Sequence, residues 1–377
     1  MHLVDTTLFY SPTSGGVKRY LSAKHEWLRR HTAWQHSILV PGDREHIERG
    51  SICFLRGPRL PGTFNYRLPL NPRHWSRVLD RLEPDLIEVG DAFHPAWCSW
   101  RVAEHRGIPL VAFYHSDLPQ IVGARTGRLS EHAFERYLRW LYSRCDAVFA
   151  PSRIMCAFLR SLGVVQAIYQ PLGVDTELFR PEQRTLDVRA TLGLPPQTRV
   201  LLYAGRFAAE KNVPVLLAAF ALLGRPYHLV LIGGEREARP APNVTMLPYR
   251  GDGRELARWI ASADALVHAG TRETFGLVIL EAMACARPVV AVRAGAIPEL
   301  VDEGVGMLAE PSSAPSLAAA IAALYERDLD AIGAAARSRV LRQFTWSRAF
   351  QIQTAAYASL IAARRISLGV PSAIELS

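Results

Sequence analysis

Lysine is almost absent from this chain: of its 44 lysines and arginines, only Lys18, Lys24 and Lys211 are lysines. Cysteine is sparse as well. Cys53, Cys98, Cys145, Cys156 and Cys285 are odd in number, scattered, and never spaced as C-x-x-C. That argues against a disulfide framework or a cysteine zinc site and fits a reducing cytosol. The opening residues, MHLVDTTLFY, hold no basic stretch followed by an apolar one, so no signal peptide is expected. The longest uncharged apolar run, 213–223, contains Pro214 and falls far short of the ~20 residues of a membrane span. No G-x-G-x-x-G follows a strand-like run, which disfavours a nicotinamide dehydrogenase. The net charge of +9 leans to the first half but comes without a C₂H₂, RRM or KH signature. Nucleic acid is therefore not an expected partner, whereas phosphorylated substrates or an anionic lipid surface suit that charge.

What is present points to a globular α/β protein. Hydrophobic residues make up 49% and charged residues 21% of 377 residues, enough for two domains with their own cores. Strand-like runs are expected at 37–40, 51–55, 85–89, 108–114 and 147–150. Others follow at 199–204, 227–232, 244–247, 264–268, 288–292 and 305–308, with helical patterns between them. Continuous Val/Ile/Leu runs alternating with helices imply parallel sheets covered on both faces. The alternation breaks once, in the proline-rich stretch 171–198, read as the hinge. The expected division is 1–170, 171–345, and a closing helical tail within 346–377.

Ligands of such sheets bind at the carboxyl ends of strands, and four segments fall there. Gly15 and Gly16 open a helix, where backbone can approach an anion; an ordinary turn is the competing reading. His115, with Ser116 and Asp117, follows the run PLVAFY. It can donate to a substrate oxygen or be a structural histidine. GRFAAEKN, 205–212, follows a strand and sets Arg206 and Lys211 around a turn, a planar fork and a point charge suited to a diphosphate. The most informative stretch is HAGTRETFGLVILEAMACARPVVA, 268–291. Glu273 sits at a strand end, a helix opens after Gly276, and Glu281 rides on it. Amides at a helix start suit phosphate, and carboxylates suit sugar hydroxyls. Together they suggest a nucleotide-sugar. A glycosidase pair fails on distance if both lie on one helix: eight residues would separate them by ~12 Å, beyond the ~5–9.5 Å such chemistry needs.

These segments, with PLGVDTELFRP at 171–181, resemble the retaining glycosyltransferases of family 4, the group 1 glycosyltransferases, over nearly the whole chain and in the same order. The resemblance implies a GT-B fold: two Rossmann-like domains facing across a cleft, with the C-terminal helix crossing back to the first. It implies a hexosyltransferase acting on a nucleotide-diphospho-sugar, GDP-mannose or a UDP-hexose, and on a glycan or lipid-linked acceptor in envelope polysaccharide or glycolipid synthesis. By resemblance, Glu273, His115, Arg206 and Lys211 are the catalytic group. Arg206 and Lys211 bind the diphosphate, Glu281 the ribose, and Glu273, Thr274, Phe275, Gly276 and Leu277 the sugar and phosphate. Gly15 and Gly16 close on the diphosphate, and Gly233, Tyr249 and Arg250 border the base. Asp117 and Arg67 are the acceptor candidates.

Neither a metal nor another cofactor is expected, since no D-x-D stands at a convincing strand end and the protein supplies the positive charge. A cytoplasmic location is expected. Contact with the inner face of an anionic membrane is an extension of that reading, through the basic amphipathic segment 129–144. A sugar-nucleotide epimerase and a non-catalytic nucleotide-sugar binding protein are the rival readings. The chain departs from the family in Ala286, where glycine is usual, in Leu172, where asparagine is common, and in a weak first strand, MHLVD.

Overall fold

The computed structural model describes residues 1–10, 15–60, 66–234, 241–248 and 251–367. Its contacts divide into two compact units, Met1–Pro171 with Ala349–Ser377, and Leu172–Arg348. The first boundary lies at the start of the proline-rich stretch.

The first unit is built on β1 (His2–Thr6), β2 (Gln35–Gly42), β3 (His46–Glu48), β4 (Ile52–Arg56), β5 (Leu86–Val89), β6 (Leu110–Phe113), β7 (Ala147–Ala150) and β8 (Ala167–Tyr169). Their order across the sheet is β3-β4-β2-β1-β5-β6-β7-β8, and only β3 runs antiparallel to its neighbour. Strands β5, β6 and β7 are buried at every position, which is why LVAF and AVFA read as unbroken apolar runs. The final helix, Trp346–Ser367, buries Phe350, Gln353, Tyr357 and Ile361 at helical spacing. From Ala349 onward it belongs to this unit. Phe350 packs on Tyr20 and Tyr357 on Phe149, at centroid distances of 5.9 and 5.7 Å. Burial of an apolar side chain such as Phe350 or Ile361 contributes about 1.5–3 kcal/mol.

The second unit holds β9 (Arg199–Ala204), β10 (Tyr227–Ile232), β11 (Val244–Leu247), β12 (Ala265–His268), β13 (Val289–Val292) and β14 (Gly306–Ala309) in the order β11-β10-β9-β12-β13-β14. All the pairings are parallel. Counted within the sheet this is the dinucleotide-binding order 3-2-1-4-5-6. The first sheet repeats it from β4 to β7, with β3 and β8 added at its edges. Strand order therefore reverses between β1 and β5 in one unit and between β9 and β12 in the other. In open parallel sheets of this order, ligands bind beyond the strand ends at such points.

Two strands escape the sequence reading. β3 is three residues long, with Ile47 and Glu48 exposed, and β8 is three residues at the far edge. Neither has the buried apolar run that marks the others.

Candidate functional site

At the switch point of the second sheet, two loops converge. The loop after β9 carries Arg206 and Lys211, and the loop after β12 carries Glu273. The Thr271 amide donates to the Glu210 carbonyl at 3.1 Å, which fastens one loop to the other. Lys211 Nζ donates to Glu273 Oε1 in a short contact, and His268 Nε2 lies 3.0 Å from the same oxygen. The Gly270 amide donates to His268 Nδ1 at 3.1 Å. Since Nδ1 accepts, Nε2 carries the proton and donates to Glu273. Burial alone would raise the Glu273 carboxyl, but the Lys211 charge and the His268 hydrogen bond outweigh it and hold the group well below the ordinary carboxylate range. Glu273 is thus an ionised acceptor, 12% exposed, beside a lysine 19% exposed.

Glycines set this geometry. Gly295 has φ +55, and a Cβ there would stand 2.6 Å from the Glu273 carbonyl oxygen, which accepts from the Ala296 amide at 2.9 Å. Gly233 has φ +124, and its Cβ would meet the Gly205 carbonyl oxygen at 2.3 Å, so the loops after β9 and β10 touch backbone to backbone. Gly276, at φ +102, begins the helix Leu277–Ala284, whose N-cap makes no side-chain hydrogen bond. The start of this helix is suited to an anion. Phe275 packs its ring against Phe344 at 6.1 Å and is buried, so its side chain is core. Glu281 is buried on the same helix. Arg206 is about half exposed, lies 3.6 Å from Glu210, and has its carbonyl held by the Tyr203 hydroxyl at 2.9 Å.

The structure therefore brings Arg206, Lys211, Glu273, Thr274, Gly276, Leu277 and Gly233 to one edge of one sheet. Tyr249 and Arg250 lie outside the described residues. His268, Gly270 and Gly295 were not anticipated. The signal available was His268 at the last position of an apolar strand run, five residues before Glu273.

The remaining predicted residues belong to the first unit. Gly15 is the N-cap of the helix Gly16–His31 and makes no side-chain cap bond. His115 follows β6, its ring stacked on Phe113 at 4.4 Å and edge-on to Tyr20 at 4.9 Å. Burial lowers its pKa to about 4, with Glu88 opposing and Lys24 adding to the shift. Asp117 has structural work: it caps the helix Leu118–Thr126 at the Gln120 amide and accepts from the Tyr114 hydroxyl at 3.1 Å. Arg67 donates to the Gly57 carbonyl at 2.8 Å and helps line a cavity of about 660 Å³ with Asp43, Glu45, Arg56 and His74. An unforeseen group here is Asp91. It accepts from the Thr7 hydroxyl (2.9 Å), the Leu8 amide (2.5 Å) and the Phe93 amide (3.0 Å), joining the loops after β1 and β5.

Residues 198–327 match the family model described as glycosyl transferases group 1, and residues 14–178 match that of glycosyltransferase family 4. The chain is 36% identical over 315 residues to D-inositol 3-phosphate glycosyltransferase 1 of Catenulispora acidiphila, covering 74% of this chain and 73% of that protein. It is 29% identical over 374 residues to a GDP-mannose-dependent alpha-(1-6)-phosphatidylinositol dimannoside mannosyltransferase of Mycobacterium tuberculosis, covering 93% and 94%. Among solved structures, sucrose-phosphate synthase from Thermosynechococcus elongatus superposes with a TM-score of 0.83 at 24% identity, covering 96% of this chain and 99% of that one.

Proposed function

This chain belongs to the group 1 glycosyltransferases and has their GT-B fold; from that premise we propose that it moves a hexose, with retention, from a nucleotide-diphospho-sugar to a hydroxyl of a glycan or lipid-linked acceptor. GDP-mannose is the favoured donor, because the relative aligned over nearly the full length is named for it, and a UDP-hexose is the second choice. The observation that carries the reading is the Lys211–Glu273–His268 constellation beside the start of the helix Leu277–Ala284.

Breaking a sugar–diphosphate bond builds negative charge on the departing phosphate. Arg206, Lys211 and the amides following Gly276 supply fixed positive potential at that point, so no metal is required of the reaction. Lys211 spends one N–H on Glu273 and has two others for the phosphate. Glu273, kept ionised, accepts from sugar hydroxyls and fixes the ring. Glu281 binds the ribose. In the first unit, His115, neutral over the working pH range, donates to or accepts from a sugar hydroxyl, and Asp117 and Arg67 border the acceptor. Retention follows from same-face attack, the departing phosphate taking the acceptor proton.

The location proposed is cytoplasmic, at an anionic membrane surface. Among the described residues no helix is long and apolar enough to cross a membrane. Support for surface contact is the exposure of Trp97 (46%) and Trp140 (40%), with the Arg144 guanidinium 3.9 Å from the Trp140 ring centroid. Failure to sediment with anionic liposomes would remove this part of the reading.

The deciding experiment is a thermal-shift panel of GDP-, UDP- and ADP-sugars in the presence of EDTA. Binding to the native state raises the melting temperature by mass action, so the donor identifies itself. A shift that appears only when a divalent metal is restored would contradict the metal-free mechanism. No shift with any sugar nucleotide would contradict the function.

A further inference from the structure

Beneath His115 lies a buried charge cluster that the proposed chemistry does not use. Asp5 and Glu88 are paired in register on β1 and β5, so their side chains stand on the same face at the switch point of the first sheet. Both are about 1–2% exposed. Two neighbouring buried carboxylates need a cation, and Lys24 supplies it: Nζ lies 3.0 Å from Asp5 Oδ1 and 2.9 Å from Glu88 Oε1. Tyr20, one turn before Lys24 on the helix Gly16–His31, donates to Glu88 Oε1 at 2.7 Å. The final helix closes the cluster. Gln353 Nε2 donates to the Tyr20 hydroxyl at 2.6 Å and to Glu88 Oε2 at 3.1 Å, and the Tyr357 hydroxyl donates to Glu88 Oε2.

Apolar side chains of similar volume would fill this space at equal or better stability. What the polar arrangement adds is direction. It fixes where the Tyr20 ring stands, and that ring is the edge against which His115 rests. It also fixes the rotation of the helix that Gly15 caps and Gly16 begins. We propose that Gln353 and Tyr357 are positioning residues for the first unit's site, holding Tyr20 in place against His115 through the buried Lys24–Glu88 bridge. The consequence for turnover rests on the reading of His115 as a group close to the reacting sugar. The consequence for the geometry of His115 does not.

The test uses the full chain and two readouts. One is an NMR titration of the His115 imidazole, and the other is kcat and KM with the donor found above. Gln353→Leu removes the donor to Tyr20 while keeping bulk. Tyr357→Phe, which keeps the ring on Phe149, serves if the first variant does not fold. The expected result is a His115 midpoint raised by roughly one pH unit as the ring loosens and gains water. With it comes a kcat lowered roughly tenfold at little change in donor KM. The control is R364A/R365A, which removes this helix's exposed pairs with Asp146 and Asp85 (2.9 and 3.0 Å) and should leave both readouts unchanged. An unmoved His115 midpoint in the folded variant, or an equal shift in the control, overturns the proposal. If wild type transfers no sugar, the functional reading fails, and the titration still decides the positioning role.

Discussion

Two of the three lysines in this chain do the same thing in different surroundings. Lys24 in the first unit and Lys211 in the second each neutralise carboxylates at the switch point of a parallel sheet. Each cluster also includes a histidine on a carboxylate: His36 on Asp5 at 2.5 Å, and His268 on Glu273 at 3.0 Å. The difference is access. Lys24, Asp5 and Glu88 are shut in by the final helix, whereas Lys211 and Glu273 keep 19% and 12% of their surface. A sealed cluster can only hold structure, because its donors and acceptors are spent on one another. An open one keeps donors for a ligand. The same residue types thus give a sealed strut in one unit and, in the other, the part-open cluster proposed to hold the donor, and burial marks the difference.

Replacing each lysine should expose this division. Lys24→Met leaves two buried carboxylates without their cation, and we expect a loss of about 3–5 kcal/mol of stability, read as a lowered urea midpoint. A loss below about 1 kcal/mol would mean that Asp5 or Glu88 is protonated or hydrated in the folded state. Lys211→Ala and Glu273→Ala should do the reverse. Turnover with the identified donor should fall by roughly 10²–10³-fold, the scale of one preorganised group aimed at developing charge, while the urea midpoint falls less than in Lys24→Met because this pair is part-open to solvent. A variant that unfolds but turns over normally when folded would make the second cluster a strut as well.

How much of this could be read from the chain depended on what each element buries. Strands β9, β10 and β11 are legible to the residue because they are short apolar runs bounded by glycine, proline or asparagine. The loop carrying Arg206 and Lys211 was legible because a lysine is conspicuous among so many arginines. Lys24 is equally conspicuous, but its partners lie 19 and 64 residues away on strands that look apolar around them, so its role is hidden in the sequence. The readable signal was the acid inside each strand, Asp5 in HLVDT and Glu88 in LIEV, since a buried strand carrying a carboxylate demands a cation. His268 and Gly295 were harder. Their roles depend on chain segments that meet only when the sheet is assembled.

The pH dependence should separate the units further, by a smaller amount. The folded-state pKa of His115 is depressed to about 4, so between 6.5 and about 4 the unfolded chain takes up a proton that the folded chain refuses. Stability from this group is present above 6.5 and is lost as pH falls through that window. Glu273 is also depressed, but its contribution persists through the window and is lost only in stronger acid. Wild type should therefore lose more of its urea midpoint between pH 7 and 4.5 than His115→Asn does. Equal losses would show that His115 is solvated and titrates normally.

The smallest effect tests whether the second site tolerates a stiffer or softer frame. The helix carrying Glu281 ends in a Schellman arrangement: the Arg287 amide donates to the Ala282 carbonyl at 2.9 Å and the Ala286 amide to that of Met283 at 3.0 Å. The residue between helix and exit must be left-handed, and Ala286 has φ +54. A methyl group there costs about 1–2 kcal/mol relative to a residue without one, offset in part by the extra freedom glycine has when unfolded. Ala286→Gly should therefore raise stability by about 1 kcal/mol, seen as a higher urea midpoint. Because the helix terminus already sits in the conformation glycine prefers, Glu281 should not move and donor affinity should be unchanged. A gain in stability with weaker donor binding would mean that the strain at Ala286 is transmitted along the helix to Glu281. The open cluster would then depend on its supporting backbone as closely as the sealed one depends on its final helix.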